Sequence, residues 1–263
     1  MEWEKIKMST NIDFNEEFPI RSQTSDSDKL TLLQIRDILG SKGAYKYLEI
    51  GSFLGGSLTP FLRDPKCTNI LSIDDRERAQ PDERGKKYDY TGITNETMIN
   101  ALENANLDTQ KLKVFDGSIE GITDHEDRYD LIFIDGEHTD WACFRDFIYS
   151  ERFLSENCIV AFHDSTVIYK SLKIICELLK SRKTKFNFIK VKDSEISFLF
   201  INSFSEIDLS NYFISEDLDS FYARSEASVL LQAANHRLQR RLTLKGLKYS
   251  VRETPIVKIN KDV

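Results

Sequence analysis

Two short segments hold most of the residues able to do chemistry: Tyr129-Asp-Leu-Ile-Phe-Ile-Asp-Gly-Glu-His138 and Cys158-Ile-Val-Ala-Phe-His-Asp-Ser165. Each is an apolar run of the kind that forms a strand buried on both faces, and each ends in acids and an imidazole. If the two strands are neighbours, their ends lie about 4.8 Å apart. Asp135 and Asp164 then come close enough to share one hard divalent cation through oxygen. Without a cation, carboxylates at that separation repel, and one is pushed toward its neutral form. His138, three residues beyond Asp135 and outside the strand, can take a proton near neutral pH, which suits a general base. The plainer alternative is that it caps the next helix or pairs with Glu137, although Asp140 is the better cap. His163 has three readings: metal ligand, substrate contact or packed strand-end histidine. His125 and His236 have no such company and read as surface residues.

A second group lies upstream. Tyr47-Leu-Glu-Ile-Gly-Ser-Phe-Leu-Gly-Gly-Ser57 places Gly51, Gly55 and Gly56 after an apolar strand, where a glycine turn lets backbone approach a ligand closely. Phe53 stands where the dinucleotide pattern G-x-G-x-x-G has its second glycine, so that fingerprint is not met. Asp74 ends the next apolar run, where a carboxylate can accept both hydroxyls of a ribose. Glu49, the glycine turn and Asp74 together point to a nucleoside. The polar turn Phe115-Asp-Gly-Ser118 offers Asp116 and Ser118 for an adenine amino group. No G-x-S-x-G, H-E-x-x-H or P-loop sequence is present.

These residues need strands and helices to hold them. Apolar runs predict strands at 46–50, 69–74, 112–115, 130–135, 158–163, 186–191 and 196–201, with helices at about 56–62, 95–107, 140–154 and 167–180 between them. Such alternation implies a doubly wound, mostly parallel seven-stranded α/β sheet. The turn Lys192-Asp-Ser-Glu195 is too short for a crossover, so the last two strands form an antiparallel hairpin. Ligands in such a sheet bind beyond the carboxyl ends of the strands. The chain divides into an arm and helix (1–44), a sheet domain (45–202) and a C-terminal extension (203–263). Residues 1–27 read as a loosely held arm, and Ser27-Asp28 as the cap of a helix reaching Leu39. The charged stretch 75–92 reads as a long loop on the substrate side. The extension carries a helix at about 222–244, with Val229, Leu230, Ala233, Leu238 and Leu242 as its apolar residues.

Composition narrows the partners. The chain has 263 residues with a net charge of −7. Residues 221–263 hold nine basic and three acidic residues, a net +6, leaving −13 on the first 220. An acidic body argues against nucleic acid as the main partner. The basic C-terminal helix suits packing on the body, a homodimer contact or peripheral contact with a membrane surface. No apolar run is long enough to span a bilayer. Four cysteines without a C-x-x-C pair read as buried thiols, and the start Met1-Glu-Trp-Glu-Lys lacks a signal-peptide layout, so the expectation is a cytoplasmic chain.

In their order and content these motifs resemble class I S-adenosylmethionine-dependent methyltransferases. The likeness runs over about 45–202 and is strongest to the branch holding macrolide-sugar and rhamnosyl O-methyltransferases and cephalosporin-hydroxylase-like proteins. It rests on Tyr47–Ser57, Phe133-Ile-Asp-Gly-Glu-His138, Arg145-Asp-Phe147 and Ala161-Phe-His-Asp164. The resemblance implies a Rossmann-like methyltransferase fold and S-adenosylmethionine as methyl donor. Glu49, Gly51 and Ser52 would lie along its methionine and ribose portion, Asp74 on the ribose hydroxyls, and Asp116 or Ser118 near adenine, with Gly55 and Asp135 also among the cofactor-binding residues. It also implies Mg2+ held by Asp135 and Asp164, with His163 as a third candidate ligand, and His138 as base toward a hydroxyl of a small-molecule or glycan acceptor. The metal-dependent sugar enzymes of that branch have two acids at the fifth strand end, where this chain has His163-Asp164. A nicotinamide-dependent oxidoreductase and a non-catalytic cofactor-binding module are the competing readings.

Overall fold

The computed structural model describes residues 12–76, 79–123, 126–246 and 256–258. Seven strands form the central sheet: β1 (Tyr45–Ile50), β2 (Cys67–Asp74), β5 (Leu112–Asp116), β6 (Tyr129–Ile134), β7 (Leu154–Phe162), β8 (Phe186–Lys190) and β9 (Ser197–Ile201). Their spatial order is β5-β2-β1-β6-β7-β9-β8. The first five pair in parallel, whereas β9 runs antiparallel to both β7 and β8. The doubly wound sheet with a terminal antiparallel hairpin is thus the observed fold. Each predicted strand lies within a few residues of an observed one.

Strands in the middle of the sheet are buried on both faces, as their continuous apolar runs require. One face packs around Leu32, Ile35, Tyr47, Phe61, Met98 and Phe198. The other packs around Leu48, Tyr129, Phe147, Phe162, Leu172 and Phe221. A fully buried side chain such as Leu172 contributes roughly 1.5–3 kcal/mol relative to an exposed one. The four cysteines are buried free thiols.

Several expectations change at the edges. The segment at 12–25 is not loosely held: it forms a short helix, α1 (Phe14–Glu17), and buries Phe18 and Ile20 in the core. The next helix, α2 (Asp26–Lys42), is capped by Ser25, not by Ser27-Asp28, with Asp28 completing a capping box. The helix expected at 56–62 starts only at Thr59, as α3 (Thr59–Arg63). It is followed by α4 (Asn95–Asn104). After β6 comes α5 (Asp140–Ser150), capped by Thr139 instead of Asp140. Then come α6 (Tyr169–Ser181) and α7 (Leu218–Gly246). On α7 the expected apolar stripe is split: Val229 is buried and Ala233 half-buried, Leu230 and Leu238 are exposed, and the Leu242 side chain lies outside the described residues.

The 75–92 stretch is not an unstructured loop. It builds a hairpin from β3 (Ala79–Pro81) and β4 (Lys87–Asp89). A C-terminal strand that sequence reading missed, β10 (Ile256–Lys258), pairs in parallel with β4. The extension therefore folds back onto the insertion. His236 of α7 is half-buried rather than at the surface, its Nδ1 3.2 Å from where a Cβ on Gly85 would sit. His125 lies outside the described residues. No helix among the described residues is long and apolar enough to cross a membrane.

Candidate active site

The strand order reverses between β1 and β6, and there the sheet opens a cleft of about 490 Å³, part of it open to solvent. The close approach of the two strand ends sets its floor. The Gly51 N–H donates to the Ile73 carbonyl at 2.8 Å, and the Asp135 N–H to the Ile50 carbonyl at 2.8 Å. Gly51 has φ +91°, and a Cβ there would lie 2.1 Å from the Asp135 carbonyl oxygen. Glycine is required at this point by the crossing of two backbones, not by a ligand. Gly55 is likewise a packing glycine, its φ +82° turn set against Met98 and Leu102 of α4.

Beyond the floor, Phe53 takes φ +48°, an uncommon left-handed conformation for a non-glycine residue. Its N–H donates to Asp74 Oδ2 at 2.7 Å. Asp74 is buried, and Arg76 supports it, with Nε 3.6 Å from the same oxygen. Arg76 is itself enclosed, donating to the Phe53 carbonyl, Ser72 Oγ and Asn95 Oδ1. Burial pushes the Asp74 carboxyl above its ordinary range, and Arg76 and the Phe53 N–H work against that push. Among the residues expected to touch a nucleoside, Gly51, Ser52, Asp74 and Asp135 line the cleft. Glu49, Gly55, Asp116 and Ser118 do not. Glu49 is fully buried beneath the floor, both of its oxygens accepting at 2.5 Å, from Tyr47 Oη–H and Ser57 Oγ–H. Its carboxyl is pushed up to about 8 by burial, which outweighs those hydrogen bonds. Asp116 is exposed at the end of the edge strand β5, and Ser118 lies just beyond it.

Asp135 and His138, which line the cleft beside the glycine turn, belong to a longer row in which acids and imidazoles alternate. His138 Nδ1 is 2.8 Å from Asp164 Oδ2, and its Nε2 is 3.5 Å from Asp135 Oδ1. The same Asp135 oxygen lies 2.9 Å from His163 Nδ1, whose other nitrogen is 3.4 Å from Asp28 Oδ2 on α2. Asp28 also accepts from Ser194 Oγ–H and the Glu195 N–H, both at 2.7 Å, which ties α2 to the hairpin turn. Burial opposes charge on His138, but Asp164 and Asp135 outweigh it and hold the imidazole up to about 9. His163 is likewise held well above its ordinary value, burial being overcome by Asp135 and Asp28. Asp164 stays well below the usual carboxylate range because His138 outweighs its burial.

This arrangement does not fit the expected metal. Asp135 and Asp164 do not face each other across an ion site; the imidazole of His138 stands between them, and His163 is committed to two carboxylates. No group of three His, Cys, Asp or Glu side chains among the described residues is placed to hold a metal ion. The charge that a cation was expected to neutralise is neutralised by the two imidazoles. The cleft brings together groups of the kinds that bind nucleosides: a carboxylate, a backbone turn and the Phe53 and Tyr90 rings, 5.8 Å apart and edge to face, meet in one concavity.

Residues 48–165 match a family model described as a methyltransferase domain. The match covers a little under half of the chain, and the central sheet has the fold of a methyltransferase domain. Its fold is similar to that of the O-methyltransferase NovP, with a TM-score of 0.52 at 12% identity over 66% of this chain and 78% of that one. It is also similar to an O-methyltransferase from Bacillus cereus in complex with SAH, with a TM-score of 0.50 at 14% identity over 76% and 88%. Uncharacterized protein R132 of Acanthamoeba polyphaga mimivirus is 26% identical over 118 residues, 45% of this chain and 50% of that protein. The chain thus spans about half the length of the curated relative it matches.

Residues from outside the central sheet complete the cleft. Ser22, Gln23 and Thr24 come from the arm, and Gln80 and Tyr90 from the insertion. Gly56, where a Cβ would meet Ser22 Cβ at 2.6 Å, lets the arm lie against the domain. Tyr90 Oη–H reaches Gln23 Oε1 at 3.4 Å, joining arm and insertion across the opening. Sequence reading assigned the acceptor to these segments but named none of these side chains, and it missed Asp28 as a site residue. The one available signal was Asp28 itself, an acid set in an otherwise apolar helix face.

Proposed function

We propose that this chain transfers a methyl group from S-adenosylmethionine to a hydroxyl of a sugar or glycosylated small molecule. The observation that carries this reading is the placement of His138 and Asp135 beside Asp74 and the glycine turn, within one cleft at the switch point of a methyltransferase fold. Gly51, Ser52 and Phe53 would hold the cofactor through their backbone, and Asp74 would take its ribose hydroxyls. When bound, the cofactor supplies a sulfonium-activated methyl group. The protein's part is to align the acceptor oxygen and to take its proton, since orientation removes much of the barrier to such a transfer.

Asp164 accepts from His138 Nδ1–H and fixes the ring, and Nε2, 3.5 Å from Asp135 Oδ1, would receive the hydroxyl proton, the arrangement of an acid–imidazole dyad. Because Asp164 and Asp135 hold His138 up to about 9, it carries a proton at neutral pH and becomes the free base only as pH rises. Activity is therefore expected to climb from neutral pH, pass its midpoint near pH 9 and level off only above it. Neutral hydrogen-bonding side chains at the opening, Ser22, Gln23, Thr24 and Gln80, beside the Tyr90 ring, support a polyhydroxyl acceptor over an anionic one.

The test is a calorimetric titration with S-adenosylhomocysteine and with NAD, followed by a methyl-transfer assay on a panel of sugar nucleotides and glycosides. The reading requires binding of the first ligand only, and transfer that survives a chelator. Binding of NAD, or of neither ligand, would overturn it.

A further inference from the structure

We propose that Glu83, at the tip of the insertion hairpin, is a positioning residue for the His138 imidazole; this rests on the reading of His138 as the base. Glu83 grips the segment carrying His138 on both sides. Its N–H donates to the His138 carbonyl at 3.1 Å, and its Oε1 accepts from the Asp140 N–H at 2.8 Å. The Asp140 N–H begins α5 and has no partner within the helix, and the Thr139 side chain is spent on the Ala142 N–H. Glu83 therefore supplies, from a distant part of the chain, the acceptor that the start of α5 lacks. Its charge is also favourable at a helix N-terminus.

The grip is useful only if the tip is rigid, and the tip is built that way. Asp82, buried, accepts from the Lys86 N–H at 3.1 Å and from Arg84 Nε–H at 2.8 Å, while the Gly85 N–H closes the turn onto the Asp82 carbonyl. Arg84 also donates to Tyr88 Oη at 3.2 Å, and the Tyr88 ring meets the His138 ring edge to face at 6.1 Å. From behind, His236 abuts Gly85 and β10 pairs with β4. The C-terminal extension thus braces the hairpin, and the hairpin braces the loop between β6 and α5. The side chain of His138 can hold its 2.8 Å contact with Asp164 only while that loop stays in place.

The experiment uses the full chain and needs no acceptor. Proton NMR reads the His138 Nδ1–H resonance bonded to Asp164, assigned by its loss in His138→Gln, and hydrogen exchange reads the Asp140 amide. Glu83→Ala should broaden or abolish the resonance and speed Asp140 exchange about tenfold, the equivalent of one hydrogen bond. Glu83→Asp keeps the charge but shortens the reach, and should behave like Glu83→Ala. Glu83→Gln keeps an acceptor oxygen and should restore both signals. Wild-type signals in Glu83→Ala and Glu83→Asp would overturn the proposal, even if melting temperature fell, because that would show a role in stability alone. Calorimetry with S-adenosylhomocysteine on the same proteins keeps the two readings apart. Failure of the wild type to bind would sink the methyltransferase reading, while the NMR result would still decide whether Glu83 holds the loop.

Discussion

The two walls of the cleft are made differently. The β1–β2 wall is a matter of backbone: Gly51 crosses Asp135, Phe53 turns left-handed, and the Phe53 N–H reaches Asp74. The β6–β7 wall is a matter of side chains: Asp28, His163, Asp135, His138 and Asp164 alternate over 2.8–3.5 Å contacts and arrive from three separate elements. The first wall tolerates little change in shape. The second tolerates little change in charge, because each imidazole is balanced by the acids beside it. Under the proposed function, the first kind of control would serve the cofactor and the second the proton transfer.

Substitutions can separate the two. The largest effect is expected for Gly51→Ala, which puts a Cβ 2.1 Å from a backbone oxygen at a φ of +91°. Urea unfolding should show a loss of about 3 kcal/mol or more. Next comes His138→Gln on the other wall: methyl transfer should fall by about 10²–10⁴-fold, with S-adenosylhomocysteine affinity unchanged by calorimetry. Asp74→Asn should do the reverse, weakening that affinity by about 10- to 100-fold, as loss of hydrogen bonds to a charged group does.

The smallest effect tests what lies beneath the backbone wall. Glu49 is held up to about 8 in the fold against an ordinary 4.5. The folded chain keeps a proton there that the unfolded chain releases. This contribution to stability is complete below about pH 4.5 and is lost as pH rises toward 8. Glu49→Gln, neutral throughout, should flatten the decline. Relative to the variant, the wild type should lose about 1–3 kcal/mol of unfolding free energy between pH 6 and 8.

The same contrast explains what could be read in advance. Backbone-borne features were legible: strand runs such as Leu131–Ile134 and the short turn at 192–195 pointed to a mostly parallel sheet and its terminal hairpin, though not to the strand order. Asp135, His138 and Asp164 were legible as a group because adjacent strand ends must meet. Their relation was not, since only coordinates show His138 lying between the acids and displacing the expected cation. Glu49 was misplaced because a strand's last residues alternate between cleft and core, and one step of register decides which. Gln23, Glu83 and Tyr90 were out of reach for a different reason. Each acts across the chain through a contact that no local spacing encodes.

The most direct measurement is a crystal structure of the full chain with S-adenosylhomocysteine. The account expects the nucleoside over Gly51, its ribose hydroxyls on Asp74, and its sulfur facing His138 and Asp135 without an intervening metal. A ligand bound elsewhere, or a cation seated between Asp135 and Asp164 with His138 swung away, would contradict it.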